Sequence, residues 1–179
     1  MADSRTDLLP DYEGWLERIS ATYESVAYCC FYRLRDRALA EQVSVQVVAG
    51  LIGRPKIFKY FGLPYSGRIG RLAERRIAQA RQGTLAMGGD WPELFAALVA
   101  MPTVNQEVLH LACVLGYDDA ELATALECDE EEARIRRKHT MGYLEELSRR
   151  ILPSERKGQE EQEEQEEQEE EEEEGKYED

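Results

Sequence analysis

The sequence predicts an all-α chain made of two small helical domains joined by a linker, the second a helix-turn-helix domain, followed by a disordered acidic C-terminal tail. Apolar residues recur at three- and four-residue steps along most of the chain. Capping residues, glycines and prolines punctuate those stretches, whereas the alternation expected of strands is nearly absent. The last stretch holds almost nothing but Glu and Gln.

The tail separates itself by charge. Of 37 acidic and 22 basic residues, 14 and 1 fall in 158–179, leaving 23 and 21 in the rest, so the low pI belongs to the tail and the body is nearly neutral. A run of like charge with so little apolar content cannot bury enough surface to offset the entropy of ordering, which predicts disorder from 154 to 179. One reading makes this run a solubilising extension. The other lays it over a basic surface of the body as a nucleic-acid mimic.

The first element shows Trp15, Ile19, Tyr23, Val26, Cys30 and Leu34 on one helical stripe. A second helix is predicted from about Arg37 to Leu51, with Leu39, Val43 and Val47 on its inner face and Pro55 beyond it. Ser66 is placed to cap a third, which Gly83 closes after Gln82. Residues 83–90 carry three glycines in eight and read as the linker, dividing a domain 1–82 from a domain 91–153. Past it, Asp90 and Pro92 open a short helix that Pro102 closes. Thr103 with Gln106, Asp118 with Glu121, and Asp129 with Glu132 have the spacing of capping boxes. Gly116 is placed to end the helix after Thr103. The last helix runs from about Glu130 to Ile151, with Ala133, Thr140, Leu144, Leu147 and Ile151 on its packing face.

No apolar run reaches the roughly 18 residues of a membrane helix. The N-terminus lacks a basic-then-apolar leader, so a cytoplasmic location without membrane partners is expected. The four cysteines, Cys29, Cys30, Cys113 and Cys128, have neither metal-ligand nor disulfide spacing. His110 and Cys113 stand three apart, but no second ligand pair follows, so Cys113 is expected in the core and no metal or other cofactor is expected. With no nucleophile-base pair and no phosphate-cradling glycine loop, the chain is not expected to be an enzyme.

Two segments carry the chemistry. Asp118 to His139 reads as two helices joined by a tight turn, the unit that projects a second helix into a major groove. Ala123 is small where the helices cross, and Leu122, Leu126 and Ala133 fill the inside. Glu127 or Cys128 must occupy a turn position that glycine usually takes. Arg134, Arg136, Arg137 and Lys138 follow the acidic start Glu130, Glu131, Glu132, and are candidate phosphate ligands. Alternatively, they form a solvated face.

The second segment, 54–82, carries eight basic residues against Glu74 alone. Arg68, Arg71 and Arg75 share a face, Arg76 sits beside them, and Phe58, Tyr60, Phe61 and Tyr65 precede them. Cations interleaved with aromatics suit single-stranded nucleic acid. Phe58 and Phe61 read as core residues, while Tyr60 and Tyr65 fit either a stacking platform or the core.

With these features in this order, the chain resembles the bacterial sigma factors of the extracytoplasmic-function type over about residues 12–151. Residues 37–48 resemble the family's polymerase-binding helix, D-A-E-D-L-V-Q-E-V-F. Residues 71–81 resemble its promoter-melting helix, R-I-A-R-N-x-x-x-D-x-x-R. Residues 97–102, 107–111 and 120–126 match L-x-x-L-P, R-E-V-L-x-L and A-E-I-A-x-x-L. The resemblance implies a regulator that directs core RNA polymerase to promoter DNA. Glu41, Gln42, Val45 and Gln46 would meet polymerase, and Tyr60, Tyr65, Arg68, Arg71, Arg75 and Arg76 the melted element. Arg134, Arg136, Arg137 and Lys138 would meet the upstream element.

The departures fall on those same positions. Gln42 and Val45 stand where the family has Asp and Gln, Val48 replaces an aromatic, and Arg75 and Gln79 replace Asn and Asp. Glu130, Glu131 and Glu132 occupy the stretch usually written V-G-T. They raise a second expectation, a sigma-like protein that acts through protein contacts with an anti-sigma factor or another regulator, without promoter recognition.

Overall fold

The computed structural model describes residues 7–54 and 67–153, and every regular element among them is helical. Tyr60, Tyr65, Phe58, Phe61, the side chain of Arg68 and the acidic tail lie outside the described residues.

Helix α1 (Pro10–Leu34) begins with proline, whose missing N–H costs nothing in a first turn. It ends at Arg35, which is left-handed at φ 54° and donates its N–H to the Phe31 carbonyl at 2.8 Å. Asp36 follows at once as the N-cap of α2 (Arg37–Ile52), accepting from the Leu39 N–H at 3.0 Å. Two residues thus turn α1 back onto α2.

The predicted one-sided stripe of α2 is corrected by its surroundings. Every residue from Gln42 to Ala49 is buried, because α1, α3 and α7 pack around α2. Helix α3 (Gly67–Gln82) buries Ile69, Ala73, Ile77 and Ala80 and exposes Arg71, Arg75 and Arg81. Gly83 closes it at φ 72°, as its sequence position predicts.

Helix α4 (Trp91–Val99) is capped by Asp90, whose carboxylate accepts from the Glu93 N–H at 2.9 Å. Trp91 stacks on Tyr23 of α1 with centroids 4.2 Å apart and planes 8° from parallel. Burial, joined by nearby carboxylates, pushes the Tyr23 hydroxyl up to about 12. Helix α5 (Thr103–Leu109) lacks the predicted Thr103–Gln106 capping box. Pro102 is its N-cap, and the Gln106 side chain is instead buried, donating to the Met101 carbonyl at 2.8 Å and accepting from the Leu9 N–H at 3.0 Å. The ladder then widens into a π-helical turn over His110–Val114, closed by the Leu115 N–H on the His110 carbonyl at 3.0 Å, before Gly116.

Helices α6 (Asp119–Leu126) and α7 (Glu130–Ile151) complete the described chain. Two apolar clusters hold these elements. The larger takes Trp15, Ile19, Val43, Leu51 and Ile77 from before the 83–90 segment and Leu94, Leu98, Leu144, Leu147 and Ile151 from after it. The smaller consists of Val108, Leu122, Ala123 and Ala133, fringed by Leu111, Tyr117 and Leu126. Among the described residues no single helix is long and apolar enough to cross a membrane.

Cys113 sits against Met141, sulfur to sulfur at 3.7 Å, while His110 turns its Nε2 to Asp11 at 3.4 Å. These two side chains therefore do not converge on a common ligand position. Burial pushes the Cys30 and Cys113 thiols up to about 12, which leaves on the order of one thiolate in ten thousand at pH 8. Both are expected to resist iodoacetamide at that pH in the folded chain and to react only after denaturation. Peptide mapping of the alkylated protein checks this, and prompt labelling of either in native buffer refutes it.

Candidate recognition surfaces

The corner between α6 and α7 is built from its caps inward. Asp118 accepts from the Glu121 N–H at 2.8 Å, and the Glu121 carboxylate reaches back to the Asp118 N–H at 3.5 Å, so α6 starts in the predicted capping box. It ends with Cys128 N–H on the Ala123 carbonyl at 3.0 Å and Glu127 N–H on the Thr124 carbonyl at 3.3 Å. This is the bonding pattern of a Schellman end, whose pivot is left-handed. Here the pivot is Glu127 at φ 55°, a conformation that favours glycine. Glu127→Gly is expected to stabilise the chain by about 1 kcal/mol, read as a higher denaturation midpoint at unchanged slope. An unchanged or lower midpoint would refute the strain at this turn.

Asp129 then caps α7 by accepting from the Glu132 N–H at 2.8 Å. The reciprocal half of that predicted box is absent, because Glu132 turns to Arg136, Nε to Oε1 at 3.0 Å. Fully buried Leu122 and Ala133, with nearly buried Ala123, let the two helices cross closely.

The four candidate phosphate ligands of α7, Arg134, Arg136, Arg137 and Lys138, do not share one environment. Arg137 is half-buried and points back at α6. Its Nη2 donates to the Tyr117 carbonyl at 2.7 Å, and its Nη1 lies 2.9 Å from Asp119 Oδ1. Arg134 places Nε 3.3 Å from the other oxygen of the same carboxylate. Arg136 is held by Glu132, leaving Lys138 exposed with His139. The outer face carries Glu131, Arg134, Ile135 and Lys138, with Ile135 57% exposed. The exposed cations of this face are therefore Arg134 and Lys138, whereas Arg137 is a strut that fixes α7 against α6. Sequence reading missed Asp119 as its anchor, since an acid beside the capping Asp118 looks like another solvated charge.

On α3, Arg71 and Arg75 are exposed, but Arg76 turns inward and is 3% exposed, with Nη1 donating to the Leu72 carbonyl at 3.2 Å. The exposed basic face thus excludes Arg76, which a helix with Ile69, Ala73 and Ile77 inward carries toward α2. Arg33 of α1 forms an ion pair with Glu74 on the same helix.

Of the proposed polymerase-facing residues, Glu41 alone is exposed, paired with Arg37 at 3.0 Å. Gln42, Val45 and Gln46 are buried, at 7%, 1% and 0% exposure. The Gln42 and Gln46 amides hold the segment that reads as a linker. Gln42 Nε2 donates to the Gly89 carbonyl at 3.2 Å, and its Oε1 accepts from the Gly88 N–H at 2.7 Å. Gln46 Nε2 donates to the Ala86 carbonyl at 2.8 Å and to Gln42 Oε1 at 2.7 Å. From the other side, the Gly89 N–H donates to the Ile151 carbonyl at 2.9 Å, and Ser148 Oγ donates to the Ala49 carbonyl at 2.7 Å.

Among the described residues no group of three or more His, Cys, Asp or Glu side chains is gathered to hold a metal. Compared with known proteins, the chain matches no family model, no curated protein and no solved structure.

Proposed function

We propose that the chain is a cytoplasmic, sigma-like transcription regulator that engages core RNA polymerase through α2 and promoter DNA through α3 and α7, without catalysis or a cofactor. The observation that carries this reading is the helix-turn-helix itself. A capped α6, a left-handed turn and an α7 with Arg134 and Lys138 on its outer face form a unit with its own small core. Phosphate contacts of this kind position such a unit on a duplex. Arg71 and Arg75 add a second cationic face on α3. Incubating the purified chain with core RNA polymerase, with run-off transcription on a promoter library afterwards, tests it. Co-elution and initiation on a small promoter set are expected. Absence of both refutes it.

A second reading has its own support. Gln42, Val45 and Gln46 are buried, and Arg134, Arg136 and Arg137 pair with the chain's own carboxylates. These features favour a sigma-like scaffold that acts by contact with an anti-sigma factor or another regulator. Affinity purification from the host separates the two readings. Polymerase subunits in the eluate speak for the first, and a different regulator without polymerase for the second.

A further inference from the structure

The contacts between 86–89 and α2 are unlike the rest of the core. They are amide-to-backbone hydrogen bonds, which water replaces at little net cost when such a contact opens. Gln46 is fully buried, yet its Oε1 has no hydrogen-bond partner among the described residues, and a buried acceptor left bare is a cost carried only while the contact is closed. The fit also leaves no tolerance. A Cβ on Gly88 would stand 2.1 Å from the Ile151 carbonyl oxygen, and one on Gly89 2.8 Å from Ile151 Cδ1. Beyond them, a Cβ on Gly53 would stand 3.1 Å from that of Ser148. Small residues and polar bonds therefore line the seam between α2 and the end of α7, with Leu144, Leu147 and Ile151 supplying its apolar part.

We infer that Gln42 and Gln46 form a latch, closing the 86–89 segment and the end of α7 over the face of α2 that a partner must reach. In the latched state the chain occupies its own docking face. Release of Gly88 and Gly89 frees both amides and uncovers Gln42, Val45, Gln46 and Ala49 together. The inference deepens the reading of α2 as a partner-binding helix, but opening itself is independent of which partner binds.

Two full-length variants test it by hydrogen exchange. Gly88→Ala pries the segment off while leaving every α2 side chain unchanged. Amides at 86–89 and 144–151 are expected to exchange at least about tenfold faster, with those of Leu122–Leu126 unchanged. Gly53→Cys with Ser148→Cys, once oxidised, staples α2 to α7, because the two Cβ positions lie just short of the usual disulfide spacing. The staple is expected to slow exchange at the same amides by a similar factor and, combined with Gly88→Ala, to restore protection at 144–151. No acceleration, an acceleration spread evenly over the chain, or a staple without effect on 86–89 and 144–151 would each overturn the latch. Capture of core RNA polymerase is then read separately. An opened Gly88→Ala chain that captures more polymerase than the parent supports both inferences. An opened chain that captures none leaves the latch standing and refutes the polymerase reading.

Discussion

Leu122→Ala is expected to melt the corner between α6 and α7 while the larger core stays folded, at a cost of about 3 kcal/mol. Leu122 is fully buried, and among the described residues its cluster contains just three other buried members, Val108, Ala123 and Ala133. Two of those are alanines, too short to collapse into the space that a leucine leaves, so the cavity persists and its cost is high. The main core draws on α1, α2, α3, α4, Leu109 of α5 and the C-terminal half of α7, and Leu122 belongs to the other cluster. Proteolysis should therefore concentrate between Tyr117 and Glu130, and exchange should accelerate there before it does so in α2. One cooperative transition, with α2 exchanging in step with α6, would show that the two clusters are a single folding unit.

Asp119→Asn is expected to act in opposite directions on stability and on DNA. The carboxylate is 28% exposed and faces two guanidinium groups, Arg137 at 2.9 Å and Arg134 at 3.3 Å. Removing its charge takes the ion pair from half-buried Arg137 and leaves its bond to the Tyr117 carbonyl, at a cost of about 1 kcal/mol, since partly exposed pairs are screened. Arg134 is already 60% exposed and becomes free to reach a phosphate. Duplex binding at low salt should tighten, and the dependence of log affinity on log salt should steepen by about one phosphate's worth. Binding that weakens, or a slope that stays put, would remove Arg134 from the DNA path.

Periodicity and caps made the helices legible. Trp15, Ile19, Val26 and Cys30 are buried as their spacing requires, and Asp36, Asp90, Asp118 and Asp129 all cap helices. The sequence placed Asp118 with Glu121 correctly because both halves of that box act within one turn. It misplaced Gln106 because a long amide can abandon its own helix for a carbonyl and an N–H brought near by tertiary packing. Gln42 and Gln46 read as polymerase-facing, and their inward turn escaped the sequence for a related reason, because their partners are backbone atoms at least 40 residues away. Arg76 shows the same limit, since its burial depends on where α2 lies rather than on its own neighbours.

The wide turn at His110–Val114 has a consequence for the kinds of sequence change this molecule tolerates. It carries one residue more than an α-helical ladder would need to cover the same span. Losing any one of those residues would regularise the ladder over the same span and leave the Tyr117 carbonyl near Arg137, whereas a loss from α5 just before it would rotate the downstream chain by about 100°. The orientation of α6 and the start of α7 is therefore encoded by chain length as much as by side chains. A single-codon deletion within His110–Val114 should therefore be tolerated better than one within Thr103–Leu109.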